Sequence, residues 1–288
     1  MTPTVETPVS ARLPWSTIAW FGALLFVSYI GVFEHLFRQW NNDPDMSHGF
    51  FVPLVFAFVI WQRRAELAAV EPRPTWWGLL IVLYGAAQLY LATLGSELFL
   101  ARTAFVITVV GMVWMLGGTP LVRKLLFPLL LLLFMIPVPA VLYNPLTFRL
   151  QLLASRCAGD ALSVMGVPVL REGNILELAE QRLSVVEACS GIRSLLTLAF
   201  LALVYGYFFE KRNSLRVVLF LATVPIAIAA NAGRVAVTGV ITEWQPGLAE
   251  GFFHLAQGWV IFMLSLALLI LVHRLLVRFY LLTQHRHA

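Results

Sequence analysis

Apolar stretches close to the thickness of a bilayer recur along almost the whole chain, and they restrict the fold more than any single motif does. A transmembrane helix needs about 20 predominantly apolar residues. Candidate spans fall at 15–37, 47–61, 76–94, 103–116, 121–139, 192–209, 216–240 and 254–272. Inside a membrane the backbone must satisfy its own hydrogen bonds, which favours helices. Composition agrees: 60% of the residues are hydrophobic and 12% are charged, against about 25% charged in soluble domains. The net charge of +5 therefore reflects basic loops between spans. It is no sign of a nucleic-acid partner; the expected medium is a lipid bilayer.

Polar punctuation sets the topology. Arg63, Arg64, Arg73, Arg123, Lys124, Lys211, Arg212, Arg216, Arg274 and Arg278 fall in alternate loops. Counting them as cytoplasmic follows the tendency of short cytoplasmic loops to carry Lys and Arg. The first apolar segment, with only Arg12 before it, reads as a retained signal anchor. One long segment, 144–187, differs in kind. Its first part has apolar residues at helical spacing interleaved with Arg149, Gln151, Arg156 and Asp160, a pattern for an interfacial helix. It continues into a hairpin turning at Glu172-Gly173-Asn174, with a third strand near Leu183-Ser184-Val185-Val186. The expected fold is thus an all-α polytopic integral membrane protein of about eight transmembrane helices. A small extracytoplasmic interfacial helix and β-hairpin complete it, within a single membrane-embedded domain over 1–288.

The two cysteines, Cys157 and Cys189, form neither a disulfide framework nor a metal cluster; whether they pair with each other is left open. Cys189 lies where the polar segment meets the apolar run beginning at Leu195, with Glu187 and Arg193 on either side. A helix N-terminus favours thiolate over thiol, although a free cysteine is commonly just a small hydrophobe. Arg234 interrupts an apolar run, at a cost of roughly 2.5–3.5 kcal/mol on insertion scales. It reads either as a snorkelling ion pair or as a functional cation. His254 reads either as a wet interfacial ring or as an acid/base. Under the alternating topology these three residues share the outer face. A thiol, an imidazole and a guanidinium at one depth are the components of acyl transfer through a thioester. No metal or cofactor is expected, since Cys189 and His254 alone do not supply three or four ligands.

Three motifs carry a resemblance: Glu187-Ala188-Cys189-Ser190-Gly191-Ile192-Arg193, then Asn231-Ala232-Gly233-Arg234, then His254 with Gly258 four residues on. Together with Ser47-His48-Gly49-Phe50 they resemble the exosortase/archaeosortase family. The resemblance implies a membrane cysteine protease-transpeptidase of the bacterial inner membrane, with its active site facing the periplasm. It implies that Cys189 is the nucleophile, His254 the acid/base and Arg234 the group that stabilises the intermediate, with Arg193, Asn231 and Glu187 supporting. The implied partners are exported proteins with C-terminal sorting signals of the PEP-CTERM type and an acyl acceptor of unknown identity. The competing reading is a transporter, or a non-catalytic component of exopolysaccharide export, in which Arg234 and His254 line a path.

Overall fold

The computed structural model describes residues 15–179, 182–185, 192–244 and 252–285. It is an all-α membrane architecture with a small sheet, and the chain divides into two compact units, 1–138 and 139–288. Among the described residues six helices are long and apolar enough to cross a membrane, or seven if one bent pair counts as a single span. Leu98–Met135 is counted once in this number although Gly118 breaks it, and the expected spans 103–116 and 121–139 begin on either side of that break.

In the first unit, α1 (Trp15–Ser28) and α2 (Ile30–Asn42) are the bent pair, meeting at 65°. Gly31 stands two residues beyond the break, in the first turn of α2. Tyr29 sits at the break, buried, with its hydroxyl 2.7 Å from that of Thr108 and its ring edge-on to Phe105. A 3-10 turn (Pro44–Phe50) leads to α3 (Phe51–Gln62) and the short α4 (Arg64–Ala68). The turn contains Ser47-His48-Gly49-Phe50. A side chain at Gly49 would overlap the indole of Trp40, whose Nε1 donates to the Met135 carbonyl at 3.1 Å. Phe50 lies edge-on to Trp40. Gly49 and Phe50 of the motif therefore serve packing.

Helices α5 (Trp76–Leu94) and α6 (Leu98–Leu131) form a close antiparallel pair. A Cβ at Gly78 would overlap the Met115 backbone, one at Gly85 would overlap Thr108, and one at Gly111 would come within 2.8 Å of the Val82 nitrogen. Small residues bring helix backbones this close in membranes. Arg102, expected in the loop, lies inside α6 and is buried; the connection is only Gly95, Ser96 and Glu97.

Gly118 breaks α6 with φ 71° and ψ −172°, a backbone region open essentially to glycine alone. A Cβ there would also overlap the Arg73 carbonyl oxygen. The chain turns back at this point, so the segment beyond Gly118 runs alongside α3: Arg63 reaches the Lys124 carbonyl at 2.7 Å. Replacing Gly118 with valine combines forbidden backbone with a steric overlap, so a loss of about 3 kcal/mol or more is expected. Thermal unfolding in detergent checks this against Gly22→Val, at a position with nothing within 4 Å.

The second unit begins with α7 (Ala140–Val164), which is not among the span candidates. A three-stranded antiparallel sheet follows, β1 (Leu170–Glu172), β2 (Ile175–Glu177) and β3 (Arg182–Ser184), in the order β1-β2-β3. Glu172 pairs with Ile175 across Gly173-Asn174. Only Gly173 has positive φ, 64°, as a type II′ hairpin turn requires. Ser155 of α7 ties this turn down by donating to the Gly173 carbonyl at 2.8 Å.

Three long helices complete the unit: α8 (Ile192–Phe209), α9 (Asn213–Trp244) and α10 (Phe252–His285). Leu198, Ala202, Leu219, Ile226 and Leu269 form their shared core. One end of the trio is closed by polar contacts. Arg216 Nε donates to the carbonyls of Gly206 and Glu210 at the end of α8, and the Gly206 carbonyl also accepts from the Glu210 N–H. Glu210 meets His273 at 3.2 Å, and Arg212 lies 4.1 Å over the Tyr280 ring. Burial pushes the Glu210 carboxyl up. The Arg212 backbone N–H, the His273 side chain, the Lys211 backbone N–H and the Arg212 charge outweigh it, leaving the group below its ordinary value.

Candidate active site

The opposite end of the same trio holds the residues marked by sequence. Arg234 comes 21 residues after Asn213 in α9, a rise of about 32 Å along the axis. That distance matches the roughly 30 Å hydrocarbon core. Arg234 is accordingly half-buried at the edge of the span rather than deep within it. Gly258 precedes Tyr280 by 22 residues in α10, about 33 Å by the same arithmetic.

The two residues meet. A Cβ at Gly258 would stand 3.5 Å from Cζ, Nη1 and Nη2 of Arg234 alike, so the guanidinium rests flat against a gap in the α10 surface. Thr238, one turn beyond, donates its hydroxyl to the Arg234 carbonyl at 2.9 Å. Asn231, one turn before, is buried and lines a small cavity with Leu150 of α7 and Leu195 of α8. The start of α8 thus reaches the level of Asn231, with Arg193 exposed in its first turn.

The sheet supports this layer from the side. Val185 is fully buried in a cluster with Leu162, Leu176, Val235 and Ala236, the last two following Arg234 directly in α9. The chain is therefore held at Val185 on one side of the cysteine motif and at Ile192, 2% exposed, on the other. Cys189 and Glu187 lie outside the described residues, as does any pairing of Cys189 with Cys157, which is exposed on α7. His254 falls in α10 one turn before Gly258, and its side chain also lies outside the described residues.

The family model described as transmembrane exosortase matches residues 40–271. The chain belongs to the transmembrane exosortase family. No curated protein and no solved structure matches it. The matched range begins at Trp40, whose indole forces Gly49, and takes in the whole of the Arg234 layer.

In this exosortase, Gly258 has a part that spacing alone did not reveal. Its lack of a side chain makes the seat for Arg234. The arithmetic of the contact gives a graded expectation: a methyl at 3.5 Å is ordinary van der Waals contact, whereas a longer side chain must displace the guanidinium. Gly258→Ala is expected to retain activity within about threefold, and Gly258→Leu to lose on the order of 10²-fold, as a 1 Å misplacement of a reacting group can cost. Initial rates of the two variants, with their expression compared, check this.

Proposed function

We propose that this exosortase is a membrane cysteine protease-transpeptidase acting on exported proteins with C-terminal sorting signals of the PEP-CTERM type. Cys189 attacks the scissile carbonyl, giving a tetrahedral intermediate whose oxyanion Arg234 stabilises. Collapse expels the amine of the C-terminal segment, protonated by His254, and leaves a thioester on Cys189. An acceptor nucleophile, or water, deprotonated by His254, then attacks the thioester and releases the thiolate. Arg193, Asn231 and Glu187 support this set. Asn231 is a positioning residue one turn from Arg234, and Arg193 is one turn past Cys189.

The observation that supports the reading best is the seat of the Arg234 guanidinium on Gly258, which joins the second motif to the third at one membrane edge. The first motif adjoins the same layer by covalent reach: Ile192 follows Cys189 by three residues, about 11 Å at full extension. In this reading the chain works as one membrane-embedded domain over 1–288. It resides in the inner membrane with α7, the sheet and the Arg234 layer toward the periplasm. A sorting signal with its own membrane helix would enter laterally from the bilayer.

The test is co-expression with a tagged protein ending in a PEP-type signal, following the tagged protein's mass in membranes. Loss of the C-terminal segment that depends on Cys189 supports the protease, and the product mass separates hydrolysis from transfer. Unchanged mass with several signals, despite folded enzyme, would favour the transporter or scaffold instead.

A further inference from the structure

The first unit contains a second polar site. Between α2, the end of α5 and the start of α6 lies a cavity of about 510 Å³, with Gly31, His35, Thr93, Ser96, Glu97 and Arg102 on its wall. Arg102 is 5% exposed, yet it makes no hydrogen bond and no ion pair among the described residues, and its Nε–H is sealed from solvent. A buried guanidinium whose Nε–H has no partner carries a desolvation penalty. Glu97 acts on Arg102 through its charge without pairing with it, and its carboxylate accepts from the Phe99 backbone N–H at 3.1 Å, capping α6.

The turn above Arg102 is also built at a cost. Glu97 N–H bonds to the Ala92 carbonyl and Ser96 N–H to that of Thr93, closing α5 in the pattern whose next-to-last residue is left-handed and usually glycine. Here the left-handed position, φ 53°, is occupied by Ser96, whose residue lines the cavity. Glycine would be less strained at this position, where serine brings a hydroxyl.

We infer that this cavity binds a phosphodiester group through Arg102. The planar guanidinium fork matches a phosphate bidentately. The hydroxyl of Ser96 and the ring of His35 offer further donors from other directions, which suits a tetrahedral oxyanion better than a planar carboxylate; the Thr93 hydroxyl is already given to the Leu89 carbonyl at 2.8 Å. Glu97 disfavours a dianion, so a monoanionic diester fits. The volume lies in the range of small-ligand sites. The diester could belong to a lipid headgroup or to a soluble molecule.

Binding to the full chain in detergent, read by native mass spectrometry, tests this independently of any peptide processing. The probes are dioctanoyl phosphatidylglycerol, dioctanoylglycerol, which lacks the phosphate, and glycerophosphoglycerol, which lacks the chains. One phosphatidylglycerol per chain is expected, with dioctanoylglycerol at least tenfold weaker. Arg102→Gln should weaken the phosphatidylglycerol complex at least tenfold. Gly31→Leu should do the same by filling the cavity, since nothing lies within 4 Å of Gly31. Displacement by millimolar glycerophosphoglycerol assigns the site to a soluble diester, and resistance to it assigns the site to a lipid; both sustain the phosphate site. Equal binding of dioctanoylglycerol, or unchanged binding of phosphatidylglycerol by Gly31→Leu, overturns it. Should Arg102→Gln not fold, Gly31→Leu decides the question alone.

Discussion

With Cys189 replaced by alanine, a co-expressed protein bearing a PEP-type sorting signal is expected to keep its full mass, processing having fallen by at least about 10⁴-fold. Loss of a covalent nucleophile removes the step on which every later one depends, and effects of this size are usual for such residues. Serine in its place should recover little, because a hydroxyl ionises far less readily than a thiol at neutral pH. The fold should not notice the change. The contacts that hold this part of the chain are those of Val185 with Val235 and Ala236 on one side and the buried Ile192 on the other. Thermal unfolding close to that of the parent protein checks that point. A transporter would tolerate Cys189→Ala, so substantial residual processing by this variant removes the protease reading outright.

Arg234→Lys is expected to lower the rate of acylation by about 10²–10³-fold with little change in KM, the loss typical of one missing oxyanion donor. Charge is conserved in this substitution, so a role limited to charge would survive it. Geometry is not conserved: the guanidinium presents a planar fork, and the face of that fork fits the Gly258 gap with all three terminal atoms equidistant. A lysine ammonium is a point on a flexible stem and cannot fill the same slot. Single-turnover rates with a peptide substrate in detergent measure the effect. A rate within tenfold of the parent would leave Arg234 a structural cation only.

Hydropathy made most of the helices legible, because burial in lipid demands continuous apolar sequence whatever the tertiary structure. The hairpin was legible too, since Gly173-Asn174 between two short apolar strands has few other uses. What stayed hidden depended on partners distant in sequence. At the bend, Tyr29 hydrogen-bonds to a residue 79 positions away, a partner that the local sequence does not name. The turn between 103–116 and 121–139 rests on a single backbone angle at Gly118, while Pro120 nearby suggests an ordinary loop. Arg102 read as a loop residue because an arginine beside Glu97 resembles a membrane boundary. The place of Arg234 was legible, since the apolar run that ends at 240 already puts it near the outer end of its span, and α9 runs from Asn213 to Trp244. For the candidate site, the motifs indicated which residues to watch. They did not indicate that Gly258 serves Arg234, since a missing side chain has no chemistry of its own to read.

The backbone-to-backbone fit of α5 and α6 bears on how the protein is made. Gly78, Gly85 and Gly111 let the two helices associate through contacts separated by a few dozen residues, and neighbouring spans of this kind can pair while later segments are still being inserted. The contacts of these three glycines all fall before Gly118. The pair can therefore be in place before the ribosome has delivered Arg234 and Gly258, so biogenesis would run from a structural half to a chemical half. A chain stalled or truncated between them would already carry the α5–α6 pair but none of the candidate active-site motifs.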